Sequence, residues 1–292
     1  MILTNNLTPD SACRTFLSND ISFVSFSNAI LFDGKQVIHP ERLVRYENDM
    51  SLIIDDTKST EDKKRRRDIV VKTDVDGVYC LLSIEHQSTI DKNMVMRCGN
   101  YEMMEYLKQL KNKKIKGLVP QVMIVFYTGD KKWNAPVKLS NYFDIPEELK
   151  AYINEWKFIF VDVKEIDTSK IKDEQTRYFI EAIQEMYKGN YEGLHRRIKM
   201  NRDNFIYAAI ITGSLDLIRD LPEGDEIDMC EERKEGEKWE KKTVLSLLKV
   251  KLGNVSNQLE QAIQNSSIEK LNTLTLSIFA ITNEDDVLKI IN

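Results

Sequence analysis

The chain is poor in the residues that build zinc centres or disulfide frameworks. Its four cysteines, Cys13, Cys80, Cys98 and Cys230, are widely spaced and form no Cys-x-x-Cys pair, and it has only three histidines in 292 residues. Neither a zinc site nor a disulfide framework is expected. No apolar run approaches the roughly 18–20 residues needed to span a bilayer. The N-terminus lacks the basic-then-apolar pattern of a signal peptide. No membrane partner is therefore expected, and the expected compartment is a reducing cytoplasm. The chain carries no internal repeat.

Charge, by contrast, is abundant in both signs. There are 42 Lys and Arg against 47 Asp and Glu, a formal net charge of -5. The basic residues cluster at "KKRRR" (63–67), "KQLKNKKIKG" (108–117) and "HRRIKMNR" (195–202), and the acidic ones chiefly at "PEGDEIDMCEERKEGE" (222–237). Net acidity does not exclude nucleic acid, because phosphates respond to a local patch. A hydrophobic content of 42% supports a real core, and the length suits one large domain or a core domain plus a smaller one.

From Ser11 to about Phe32, apolar residues such as Phe16, Leu17, Phe23, Val24 and Leu31 predict one or two helices ending near "FDGK". "KQVIHPERL" reads as a short extended piece closed by Pro40, and "MSLIIDDTKSTEDKKRRR" as a strand and a polar loop. "RDIVVKT" and "VYCLLSIEHQ" predict a hairpin, with Asp76-Gly77 suited to a type I′ turn. Between Asn93 and Asn112, Met94, Arg97, Tyr101, Met104 and Leu107 fall near one face of a helix. "LVPQVMIVFYTG" (118–129), nearly all apolar, predicts a central strand covered on both faces. "WKFIFVDVKEI" (156–166) predicts another strand. Helices follow in "DEQTRYFIEAIQEMYKG" and "RDNFIYAAIITGSLDLIRDL". The charged stretch 222–242 reads as exposed or flexible, and the last fifty residues as about three short capped helices.

The hairpin carries the chemistry. With a two-residue turn, Val75 pairs with Val78 and Asp68 stands opposite Glu85; with a four-residue loop, Asp68 faces Ser83 and Glu85 lies on the diagonal. Either way the two carboxylates share one face with Gln87, and Val78, Cys80, Leu82 and Ile84 form the apolar face. Facing carboxylates can converge on a hard cation such as Mg²⁺, which would activate a water and stabilise a phosphodiester in flight. An acidic residue at each end of a hairpin is equally what a solvated rim looks like. An odd-length bulged turn would put the two acids on opposite faces. By alternation His86 lies opposite Glu85 and reads as a packed or surface imidazole.

The chain resembles the recombination-promoting nuclease (Rpn) or transposase-like family of the PD-(D/E)XK nuclease superfamily. The resemblance runs through "FVSFSNAILFDGKQVIHPERL" (23–43), "RRRDIVVK" (65–72), "LLSIEHQSTIDKNMVMRCGNYEMMEYLKQL" (81–110) and "GLVPQVMIVFYTGDKKWNAP" (117–136), about the first half of the chain. It implies an α/β fold with a restriction-endonuclease-like PD-(D/E)XK core (αβββαβ), followed by an all-helical C-terminal region. The domain reading that goes with it is a nuclease-like domain at 1–168, a helical extension at 169–221, a charged linker at 222–242 and a small helical domain at 243–292.

The resemblance also implies roles: Asp68 and Glu85 as ligands of Mg²⁺, with Mn²⁺ an alternative, and Gln87 orienting the attacking water. Arg97 and Tyr101 would assist at the phosphate, and Lys63, Lys64, Arg65, Arg66 and Arg67 would lie along the DNA backbone. The implied function is a metal-dependent DNA endonuclease linked to recombination or mobile elements in a bacterial cytoplasm, with homo-oligomerisation through the C-terminal helices. In relatives the N-terminal helix reads Phe-Ala-Asp-x-x-Asn; here it reads Phe-Val-Ser-Phe-Ser-Asn, with Ser25 at the usual acidic position. Ser25 supports an alternative: a nuclease-fold protein with impaired catalysis, acting as a DNA-binding or protein-interaction module.

Overall fold

Two short capped helices open the described chain. The Thr8 side chain accepts from the Ser11 N–H, and Ser11 returns the bond to the Thr8 N–H, so helix α1 (Pro9–Leu17) begins with a capping box and a proline in its first turn. Asn19 caps α2 (Asp20–Phe32), which ends on Asp33 in the left-handed conformation. In this computed structural model the described residues are 7–45, 49–50, 65–66, 68–112, 117–190, 194, 199–218, 221, 224–253, 255–278 and 281–291.

The strands that follow are β1 (Val44–Arg45), β2 (Asp49–Met50), β3 (Arg65–Arg66), β4 (Ile69–Val75), β5 (Val78–Gln87), β6 (Gln121–Tyr127) and β7 (Ile159–Asp162). Five of them form one sheet in the order β1-β4-β5-β6-β7. The pairs β1/β4 and β4/β5 are antiparallel, whereas β5/β6 and β6/β7 are parallel. The β5-to-β6 connection is helix α3 (Met94–Lys111), as parallel neighbours require a crossover. The fold is thus mixed α/β. Arg65 and Arg66, expected in a polar loop, instead pair as strand β3 with Asp49 and Met50 of β2.

Val75 pairs with Val78, so the hairpin has the two-residue turn. Asp76 and Gly77 both have positive φ, 50° and 82°, as the type I′ geometry demands. The expected apolar stripe begins only at Cys80. Val78 and Tyr79 are exposed, at 60% and 58%, because β6 pairs with β5 only from Leu81 onward and the hairpin tip projects past its neighbour.

Beyond the tip, β5 is buried on both faces. Ser83 and Glu85 lie beside Met123 and Val125 of β6 and face α3, which packs Met94, Val95, Cys98 and Tyr101 onto the sheet. Ile84 and His86 lie beside Ile124 and Phe126 and face the N-terminal helices, where Phe26 meets Phe126 with ring centroids 4.8 Å apart. Leu107, expected on the core face of α3, is exposed; the buried row runs Met94, Val95, Cys98, Tyr101, Glu105 and Gln109.

Gly99 lets α3 approach its cover. A Cβ there would stand 2.6 Å from the Trp156 ring. Gly99→Ala gains about 1 kcal/mol of helix propensity but overpacks a contact at a cost of about 1–3 kcal/mol. We expect a net loss of about 1 kcal/mol in urea denaturation, and a gain in stability would show that Trp156 moves aside freely.

After the one-turn helix α4 (Glu147–Lys150) comes α5 (Glu174–Lys188), capped by Asp173 and closed by Gly189, and then α6 (Arg202–Thr212). Phe16 of α1 stacks on Phe179 of α5 at 3.6 Å. The chain divides into two compact units, 1–194 with 200–227, and 195–199 with 228–292. Helices α5 and α6, from the stretch expected as a helical extension, belong to the first unit.

In the second unit, α7 (Met229–Leu252) runs through most of the charged stretch expected as a linker. Its Glu- and Lys-rich sequence has high helix propensity, which the reading of charge as flexibility overlooked. Helices α8 (Asn257–Asn265), α9 (Ile268–Leu276) and α10 (Glu284–Ile291) complete this unit around Val244, Leu248, Leu259, Ile263, Leu271 and Leu274. Among the described residues, no helix is long and apolar enough to cross a membrane.

Candidate active site

At the open end of the β4–β5 hairpin, Asp68 and Glu85 meet. The ladder ends at Ile69 opposite Ile84, so Asp68, in a bend just before β4, comes level with Glu85. The Asp68 N–H donates to Glu85 Oε1 at 3.3 Å, and the His86 N–H donates to Asp68 Oδ2 at 2.9 Å. These bonds bring the two acids expected from the sequence into one group.

Glu85 is 1% exposed, and a carboxylate so far from water is tolerated only if it is paired. Arg97 of α3 supplies a positive charge 3.7 Å from Glu85 Oε2, and its other terminal nitrogen donates to Asp91 Oδ2 at 2.7 Å. Burial disfavours the Arg97 guanidinium, but Asp91, Tyr101 and Glu85 together hold its pKa above the ordinary value. Tyr101, 3% exposed, hydrogen-bonds Arg97 from one turn along the helix. Arg97 thus reaches Glu85, and Tyr101 stands beside Arg97.

Asp68 is held from the opposite side of the sheet. Arg14 of α1 donates to its Oδ1 at 2.9 Å. Arg14 is half exposed, so this pair is worth at most about 1 kcal/mol. Helix α1 is fixed more firmly by His86, whose Nδ1 lies 2.8 Å from Asp10 Oδ1 and whose Nε2 lies 2.7 Å from Thr128 Oγ1. Burial opposes a charged imidazole here, yet the Cys13 sulfur and the Asp10 carboxylate beside it push the His86 pKa up to about 10. The neighbouring Asp10 carboxylate thus favours the charged imidazole, packed on the face opposite Glu85.

The Gln87 amide donates to the carbonyl of the preceding residue, His86, at 2.6 Å. Ser25, buried on α2, accepts from the Asp173 N–H at 3.0 Å and so helps to hold the start of α5. Arg65 and Arg66 are described as backbone only, in β3, while Lys63, Lys64 and Arg67 lie outside the described residues.

Sequence reasoning missed Arg14, Asp10, Asp91 and Thr128. Asp91 left a signal, an acid just ahead of α3 and six residues before Arg97. Arg14 and Asp10 left none, since their partners lie 54 and 76 residues away.

The carboxylate oxygens of Asp68 and Glu85 are hard donors of the kind that Mg²⁺ or Mn²⁺ takes. Among the described residues, Arg14 reaches Asp68, and Arg97 reaches both Glu85 and Asp91. Among the described residues, no three His, Cys, Asp or Glu gather into a metal-holding group. An ion here would draw its remaining ligands from water and substrate, as Mg²⁺ commonly does.

A family model described as a putative transposase, YhgA-like, matches residues 51–205, more than half of the chain. No curated protein and no solved structure gives a match.

Proposed function

We propose, from the premise that the chain belongs to the family described as putative transposase, YhgA-like, that its Asp68–Glu85 fork hydrolyses DNA phosphodiester bonds in recombination or element mobility. The observation that carries this reading is the buried Glu85 carboxylate, bonded to the Asp68 N–H and faced by Arg97. Isolating a charged acid beside a second acid is costly, and a functional site is a common reason for such an arrangement. The fold supports the PD-(D/E)XK core: α2, then the antiparallel run β1, β4, β5, then α3, then β6 parallel to β5.

In this reading Asp68 and Glu85 hold Mg²⁺ or Mn²⁺, which when bound supplies an acidified water and neutralises charge on the phosphate. Gln87 releases the His86 carbonyl and orients the attacking water with its amide. Arg97 donates to a non-bridging phosphate oxygen, and Tyr101 and Asp91 keep its guanidinium aimed. Water attacks phosphorus directly and the 3′ or 5′ oxygen leaves, with no covalent enzyme intermediate. The run Lys63, Lys64, Arg65, Arg66 and Arg67, just before Asp68, neutralises neighbouring backbone phosphates.

Purified protein should nick supercoiled plasmid with Mg²⁺ or Mn²⁺, and should lose that activity with chelator and in Asp68→Ala. The impaired-catalysis reading draws on Ser25, whose hydroxyl is engaged by Asp173. DNA that is bound but left intact by the wild type and by Ser25→Asp would establish that second reading.

A further inference from the structure

We infer that Arg14 is an internal cation that competes with the divalent ion for Asp68 and so sets the metal concentration at which the site loads. This rests on the nuclease reading of the Asp68–Glu85 fork. Asp68 Oδ2 accepts from the His86 N–H, and Oδ1 accepts from Arg14 at 2.9 Å, so a cation that takes Oδ1 meets the guanidinium there.

The competitor is built in. Arg14 sits one turn along α1 from Asp10, and Asp10 is tied to the imidazole of His86, which is itself held by the buried Thr128. The residue that donates its backbone N–H to Asp68 therefore also anchors the helix that brings Arg14 there. The guanidinium itself is half exposed and can swing into water when a stronger cation arrives, without disturbing the anchor.

The test is Mn²⁺ titration of DNA-free protein by calorimetry, using wild type, Arg14→Gln, Arg14→Lys, Asp68→Asn and the Arg14→Gln/Asp68→Asn double variant. Arg14→Gln should bind Mn²⁺ roughly two- to fivefold more tightly than wild type, the scale of a half-exposed ion pair. Arg14→Lys should stay near wild type. The gain should shrink as KCl is raised, because an exposed competing charge is screened, and it should vanish in the Asp68→Asn background.

Equal or weaker binding by Arg14→Gln, with Asp68→Asn still impairing the wild type, overturns the competition and leaves the metal site standing. A gain that persists in the Asp68→Asn background overturns it too, since the effect is then a general change of field. Mn²⁺ binding that is absent throughout, or indifferent to Asp68→Asn, removes the metal reading and the competition together.

Discussion

Glu85→Gln should nick supercoiled plasmid at least about a thousandfold more slowly than the wild-type chain, while melting at the same temperature or higher. The two expectations have one cause. Glutamine keeps the shape of the side chain and can still accept the Asp68 N–H, but it carries no charge. A metal ligand that stabilises transition-state charge contributes several kcal/mol, and each 1.36 kcal/mol is about tenfold in rate. Stability should not follow activity down. The carboxylate is 1% exposed, so removing its charge relieves a desolvation cost that offsets the lost attraction to Arg97, 3.7 Å away. Arg97 keeps Asp91 at 2.7 Å when Glu85 loses its charge. A plasmid assay beside a thermal melt checks both halves. A variant that loses activity and melts far lower would mean that Glu85 serves the fold rather than the chemistry.

The second large effect concerns pH. The folded-state pKa of His86 is raised from 6.5 to about 10, because the Cys13 sulfur and the Asp10 carboxylate outweigh burial. The stabilisation from this imidazolium is fully present below the unfolded pKa of 6.5 and is lost as pH rises through about 10. Raising pH across that window should therefore lower the melting temperature steadily. The Asp10 side chain is more than half exposed, so screening reduces the contribution to about 2–3 kcal/mol. His86→Leu should cost that much at pH 7 and should flatten the slope of melting temperature between pH 7 and 10. An equally steep decline in the variant would assign alkaline sensitivity to other groups.

How far the sequence could be read depended on the range of each interaction. The hairpin register was legible because Asp76-Gly77 is a local signal: two adjacent residues suited to positive φ define the turn, and alternation then places Asp68, Glu85 and Gln87. The burial of β6 was legible for the same reason, as an unbroken apolar run. Exposure of Val78 and Tyr79 was not legible, since it depends on where a neighbour 40 residues away begins to pair. The face of His86 could be read from alternation, but its partners could not. Asp10 and Thr128 arrive from 76 residues before and 42 after. Ser25 shows the same limit: the motif placed it near the site, whereas its hydroxyl meets Asp173, 148 residues later.

Those separations have a consequence during synthesis. The centre draws on α1 for Arg14 and Asp10, on the hairpin for Asp68, Glu85 and His86, on α3 for Arg97, and on the end of β6 for Thr128. Contacts that span so much chain form only after the entropy of closing those loops has been overcome. A growing polypeptide emerges from its N-terminus, so α1 waits, unanchored by Thr128, until residues 85–128 have left the ribosome. A nascent chain halted within that interval holds Asp68 and Glu85 without the framework that aligns them. On the nuclease reading proposed above, a centre assembled in this order is inert toward the nucleic acids around the ribosome until most of the first unit has been made.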